Sequence, residues 1–219
     1  MSPAAENPTP GQGNLVVLSA PSGTGKTTLA RRLVARVPRL QASVSYTTRP
    51  RRQEERDGAD YHFVDRGAFL EMTGSEQFLE WAEIYGHHYG TGREATSAIL
   101  GKGDDLLLVI DVQGARWVRK RDPHALMIFL LPPSHQALLE RLRRRGTESS
   151  GTEAERLRVA RDEILAWKEY DFLIVNDDLE TSLASAEAVI LADRQRRLRM
   201  ESVARAVTET FPPPAGEVS

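Results

Sequence analysis

Cysteine does not occur among the 219 residues, so disulfides, thiolate metal sites and a cysteine nucleophile are all excluded, and a reducing compartment is compatible. No apolar run approaches the ~20 residues that cross a bilayer. Residues 1–13 are rich in proline, glycine and small polar residues and lack the apolar stretch of a signal peptide. They read as a disordered tail. Neither sign of charge dominates, because 29 Lys and Arg stand against 31 Asp and Glu, and this balance makes no case for a nucleic-acid or membrane partner. The expectation is a soluble, cytoplasmic protein of one domain with inserted subregions.

What is present begins with an apolar run, Leu15-Val16-Val17-Leu18-Ser19, followed by Ala20-Pro21-Ser22-Gly23-Thr24-Gly25-Lys26-Thr27 and the helical pattern from Thr28. Strand, glycine-rich loop and helix in this order form a phosphate-binding loop, or P-loop. Consecutive backbone N–H groups wrap nucleotide phosphates, a lysine reaches the β and γ phosphates, and a Ser/Thr hydroxyl binds Mg²⁺. Lys26 and Thr27 suit those two roles, with Ser22, Gly23, Thr24, Gly25 and Thr28 completing the cradle. Ala20 stands where the strict pattern has glycine. The competing reading is a glycine-rich turn before an ordinary helix.

Further along, Ser43-Val44-Ser45-Tyr46-Thr47 is rich in β-formers, and the polar stretch after it holds Arg49, Arg51, Arg52 and Arg56 but no lysine. A guanidinium fork grips phosphate through two parallel hydrogen bonds, whereas a loop needing only solubility uses lysine equally well. Residues 61–64 form a strand candidate and Phe69, Leu70 and Met72 a short helix. Residues 78–85 alternate as a strand with Glu80 and Trp81 on opposite faces. Residues 86–92 form a glycine-rich hairpin or loop, and the neighbouring His87 and His88 point apart and lack a third metal ligand at suitable spacing.

Three apolar runs, 106–111, 125–131 and 171–176, read as buried parallel strands. The first ends in Asp111, placed either to serve Mg²⁺ and substrate or simply to cap the next helix. Ser134 caps a helix with Leu138, Leu139 and Leu142 on its apolar face. The arginine-rich segment 141–151 suits a mobile lid or a charged helix face alike. A helix runs from 153 to 168, and a long one from 179 to about 208. The fold class is therefore α/β: a three-layer core on a parallel sheet, interrupted at about 45–93 by an inserted mixed α/β subdomain, with a short helical lid at about 141–160.

Taken together, Val44-Ser45-Tyr46-Thr47-Thr48-Arg49-Pro50, Gly58-Ala59-Asp60-Tyr61-His62-Phe63, Phe78-Leu79-Glu80-Trp81-Ala82, Tyr89-Gly90-Thr91, Ile110-Asp111-Val112-Gln113-Gly114, Arg145-Gly146-Thr147-Glu148 and Ile174-Val175-Asn176-Asp177-Asp178, in this order after the P-loop, carry a resemblance. From about residue 15 to 192 the chain resembles the guanylate kinase family of P-loop nucleoside-monophosphate kinases. The resemblance implies a domain at 14–210 between tails 1–13 and 211–219. It implies transfer of the γ-phosphoryl of ATP to GMP, and by extension to dGMP, with Mg²⁺ as cofactor. Arg49, Arg52, Tyr61 and Tyr89 match the positions that hold the GMP phosphate, while Ser45, Glu80, Thr91 and Asp111 match those around guanine. Lys26, Arg145 and Arg156 match catalytic cations, Arg141 adds a further lid arginine, Asn176 matches an adenine-side position, and Thr27 and Asp111 the metal.

The partners implied are ATP and GMP, with no nucleic acid or membrane and with homo-oligomerisation open. Two departures stand out: the stretch Arg52-Gln53-Glu54-Glu55 lacks a glycine common in the family, and Val109 replaces an acidic residue. Two alternatives remain at this point, a peptide-binding relative without activity and a P-loop kinase for another substrate.

Overall fold

The computed structural model describes residues 11–144 and 153–211, apart from the side chains of Arg144 and of 153–157. In chain order the elements are β1 (Leu15–Ser19), α1 (Lys26–Arg36), β2 (Leu40–Ala42), β3 (Tyr46–Thr47), β4 (His62–Phe63), α2 (Arg66–Gly74), β5 (Phe78–Ile84), β6 (His87–Gly92), α3 (Arg93–Gly101), β7 (Asp105–Val109), α4 (Val112–Arg121), β8 (Leu126–Leu131), α5 (His135–Arg144), α6 (Glu153–Ile164), β9 (Phe172–Val175), α7 (Leu179–Arg194) and α8 (Arg197–Glu209). A 3₁₀ turn, Leu165–Glu169, links α6 to β9.

The main sheet is parallel in the order β2-β7-β1-β8-β9. β1 lies at its centre with all five residues buried, because its side chains alternate into two separate apolar layers. Val16 and Leu18 meet Leu29 and Leu33 of α1 and Leu183, Ala186 and Ile190 of α7. Leu15 and Val17 meet Leu100 of α3 and Ala115 and Val118 of α4 on the other face. Helix, sheet and helix thus make the three-layer α/β core.

A second, mixed sheet runs β4-β3-β6-β5, with β3 and β4 parallel and the other pairs antiparallel. Of the 86–92 stretch, residues 87–92 are strand β6 and Gly86 belongs to the turn before it. Ile84 pairs with His87, so Tyr85 and Gly86 form a two-residue turn, and both have positive φ, 51° and 77°. That geometry matches the right-handed twist of a hairpin. Glu80 is 4% exposed and Trp81 37%, on opposite faces of β5 as the alternation requires.

Three expectations change. The run 171–176 is not a buried strand: β9 is an edge of the sheet, and Phe172, Leu173 and Val175 are exposed while only Ile174 is buried. The stretch 179–208 is two helices rather than one. Asp193, buried at their junction, accepts from Arg199 Nε at 2.6 Å, Asn14 Nδ2 at 2.9 Å and Arg196 Nη1 at 3.3 Å, and Arg196 turns extended to start α8. The helix read over 153–168 ends at Ile164 and tightens into the 3₁₀ turn. Strand β2, on the opposite sheet edge, has no counterpart among the apolar runs because only Leu40 of its three residues is buried.

Candidate functional site

The P-loop leaves the carboxyl end of β1 and closes onto α1, where the parallel sheet directs its ligand crevice. Gly23 and Gly25 have φ of 85° and 98°, a region that a side chain would strain. Space also forbids a side chain at Gly25, since an added Cβ would stand 2.7 Å from Asn176 Nδ2. The loop is braced from beneath. Asn176, at the end of β9, donates from Nδ2 to the Thr24 carbonyl at 2.6 Å, and Arg141 of α5 donates to the same carbonyl at 3.4 Å and to the Asn176 carbonyl at 2.9 Å. Lys26 is half-buried and donates from Nζ to the Ile110 carbonyl at 3.0 Å. Burial lowers its pKa from the ordinary value, against the raising fields of Glu163 and Asp111.

Across the crevice stands Glu80 of β5. Thr91 of β6 donates its hydroxyl to Glu80 Oε1 at 2.6 Å, and burial pushes the carboxyl up to about 7, with the Asp111 charge adding to the rise. Glu80 Oε2 lies 2.6 Å from where a Cβ on Gly114 would be, so the third residue of α4 must be small. Asp111 caps α4 by accepting from Gly114 N at 2.8 Å. The helix therefore begins at Val112.

Arg49 sits beside two aromatic rings, 5.5 Å from the centre of Tyr61 and 5.8 Å from that of Phe63, and Tyr61 lies 6.0 Å from Tyr89. Burial raises the Tyr61 pKa. Glu55 holds this corner together. Its carboxylate accepts from Arg49 Nη2 at 2.6 Å and from the Arg52 amide at 2.9 Å. Burial works against the Glu55 charge, but these donors hold its carboxyl below the usual range.

The P-loop and the opposite wall enclose one cleft of about 1070 Å³. It brings together Ser22, Gly23, Thr24, Gly25, Lys26, Thr27, Thr28, Ser45, Arg49, Arg52, Tyr61, Glu80, Tyr89 and Asp111, together with Arg141 and Glu163. Thr91 lies behind Glu80, and Asn176 lies behind the P-loop, both buried. Arg145 lies outside the described residues, and Arg156 belongs to α6 with its side chain outside them.

The family model described as guanylate kinase matches residues 12–193 of this chain. The chain belongs to the guanylate kinase family. Guanylate kinase from Alkalilimnicola ehrlichii is 47% identical over 189 residues, covering 86% of this chain and 93% of that one. The enzyme of that name from Carboxydothermus hydrogenoformans is 44% identical with the same two coverages. The crystal structure of guanylate kinase from Anaplasma phagocytophilum superposes with a TM-score of 0.77 at 33% identity, over 92% of this chain and 97% of that chain.

Within this member of the guanylate kinase family, sequence reasoning gave no part to Glu55, Gly114 or Glu163. Gly114 lies within a quoted motif, but its closeness to Glu80 depends on β5 packing against α4. Glu55 stands next to another glutamate in a charged loop, and nothing in the spacing separates them. Glu163 is one of several acidic residues on α6, 141 positions from the Ser22 amide that it reaches.

Proposed function

We propose that this chain is an ATP:GMP phosphotransferase: a GMP phosphate oxygen attacks the γ-phosphorus of ATP, the bond to the β-phosphate oxygen breaks, and GDP and ADP leave. The observation that carries the reading is the buried carboxylate of Glu80 on the far wall of the cleft that opens with the P-loop. Guanine offers N1–H and a 2-amino group as donors, so Glu80 can accept both. Adenine has an acceptor at N1 and no 2-amino group, and would leave the carboxylate unpaired. Such a site discriminates by roughly 10⁴-fold.

The second sheet, within about 45–93, would form the GMP-binding subdomain. Ser45 and Asp111 would complete the base site with Thr91 behind Glu80, while Arg49, Arg52, Tyr61 and Tyr89 would hold the acceptor phosphate. dGMP presents the same base and phosphate.

On the donor side, Ser22, Gly23, Thr24, Gly25 and Thr28 would cradle the ATP phosphates, and Lys26 would reach the β and γ oxygens. Lys26 needs its charge for this, and the donor phosphates restore what burial removes. Asn176 would act chiefly by bracing the loop, since its amide donates to Thr24. Arg145 and Arg156 would come from the lid, about 141–160, with Arg141.

The oxygen donors of Thr27 and Asp111 fit Mg²⁺, which is commonly held by one or two carboxylates plus substrate phosphates rather than by a cage of protein ligands. Among the described residues no group of three or more acidic or histidine ligands forms such a cage. When bound, Mg²⁺ would neutralise charge on the transferring phosphoryl group. The protein contributes position and fixed positive charge, and no side chain needs to act as a nucleophile. Among the described residues no helix is long and apolar enough to cross a membrane, and the lack of cysteine agrees with a cytoplasmic setting.

An ADP-release assay with GMP, dGMP, AMP, CMP and UMP tests the proposal. Turnover is expected on GMP and dGMP alone. Turnover on AMP in place of GMP would remove the specificity argument, and turnover on none would remove the enzyme.

A further inference from the structure

The P-loop of this structure is not bare. Glu163, on the last turn of α6, accepts from the Ser22 amide with Oε2 at 3.4 Å. Its carboxylate also acts electrostatically on Lys26, the cation at the foot of the loop. A backbone N–H of the cradle and the P-loop lysine are two of the features through which phosphate oxygens would be recognised. The contact is imposed by packing. Ala160, nearly one helical turn before Glu163, is buried with Leu138 and Leu142 of α5, and Leu142 in turn lies 2.9 Å from where a Cβ on Gly23 would stand. The pair α5 and α6 is thereby seated against the loop, and the seating delivers a carboxylate to its mouth.

Among the described residues the carboxylate meets one amide at 3.4 Å and the field of Lys26. Burial raises the Glu163 pKa, the Asp111 charge raises it further, and Lys26 and the Ser22 amide only partly oppose them. A carboxylate that meets its donor at 3.4 Å is a loose occupant. It contrasts with Glu55, which is held by two donors at 2.6 and 2.9 Å.

The geometry points to Glu163 as an internal occupant of the donor phosphate site, a carboxylate that screens Lys26 in the empty protein and must leave before nucleotide phosphates settle on the loop. This rests on the P-loop being the donor site, as proposed above. Like charges cannot share one N–H and one lysine, so phosphate binding expels the carboxylate. The affinity for donor phosphates is lowered by the free energy needed to displace Glu163.

The test is isothermal titration of tripolyphosphate into the wild-type chain and into Glu163→Gln and Glu163→Ala, without GMP and without turnover. Both variants are expected to bind about five- to tenfold more tightly, the scale of one removed competitor for a charged donor. GMP titrated into the same proteins should bind within about twofold of wild type, because Glu163 touches the loop and not the far wall. Unchanged or weaker tripolyphosphate binding in the variants would overturn the proposal. Failure of the wild-type chain and of both variants to bind tripolyphosphate at all would instead overturn the donor-site reading. The Gln variant keeps the side-chain volume, so it carries the test if the Ala variant does not fold.

Discussion

The two walls of the cleft are built on different principles. The proposed donor wall is mostly main chain from one contiguous segment, residues 20–28, shaped by two glycines of positive φ and braced through a carbonyl by Asn176 and Arg141. The proposed acceptor wall is mostly side chains brought from separate places: Ser45 and Arg49 flank β3, Tyr61 precedes β4, Glu80 is on β5, Tyr89 on β6 and Asp111 at the start of α4. Amides in a fixed loop recognise any phosphate, because the geometry they offer is common to all nucleotides. A buried carboxylate with an assigned hydrogen-bond partner discriminates between bases, because the wrong base leaves it unsatisfied. On the proposed reading, affinity for phosphate is therefore local in sequence, and selectivity for the base is not.

This division predicts that damage to the donor wall affects turnover and damage to the acceptor wall affects recognition. Lys26→Ala should lower kcat by about 10³-fold, as the loss of one preorganised transition-state cation does, while GMP affinity measured by titration stays within about twofold. Near-normal turnover in that variant would break the comparison on its donor side.

A somewhat smaller effect is expected at Glu80. Glu80→Gln should raise the KM for GMP by about 10²-fold with a lesser change in kcat, because an amide presents only one acceptor to two donors. The wild-type KM should depend on pH. With the carboxyl pushed up to about 7, the proton-free form that accepts from guanine is depleted at lower pH, so the KM for GMP should rise about tenfold per unit below that point. The Gln variant should lose this dependence.

Stability has the opposite pH dependence. The folded pKa lies above the ordinary 4.5, so the contribution of Glu80 is fully present below about 4.5 and is lost as pH rises through about 7. Thermal unfolding of wild type and Glu80→Gln at both ends of that window measures it.

The smallest expected effect is at Glu55, which touches the arginine rather than substrate. Glu55→Gln should raise the KM for GMP by about three- to tenfold and change kcat by less than about twofold, sharpening the separation of positioning from chemistry. An equal fall in kcat would mean that the acceptor wall also takes part in the transition state.

Much of the fold was legible because burial on both faces leaves a plain signal. β1, β7 and β8 are apolar runs at the centre of the sheet, and their identity as strands follows from composition. The same signal misled at 171–176, since Phe172, Leu173, Ile174 and Val175 are as apolar as a central strand and yet form an edge. Periodicity does not say how many neighbours a strand has. The α7–α8 junction was hidden for a related reason: Asp193 looks like any helical acid until Asn14, Arg196 and Arg199 converge on it.

By itself the sequence determined the P-loop, the central strands β1, β7 and β8, and the residue types of both walls, because these depend on neighbours along the chain. Tertiary structure alone decided which carboxylates matter and how. Glu80 is pushed up to about 7 because β5 packs under α4 beside Asp111, Glu55 is held low because a loop folds back on Arg49, and Glu163 reaches the P-loop because α6 is seated on α5. The charge of an acid is set by its solvent exposure and by the groups that surround it, and both come from parts of the chain far away in sequence.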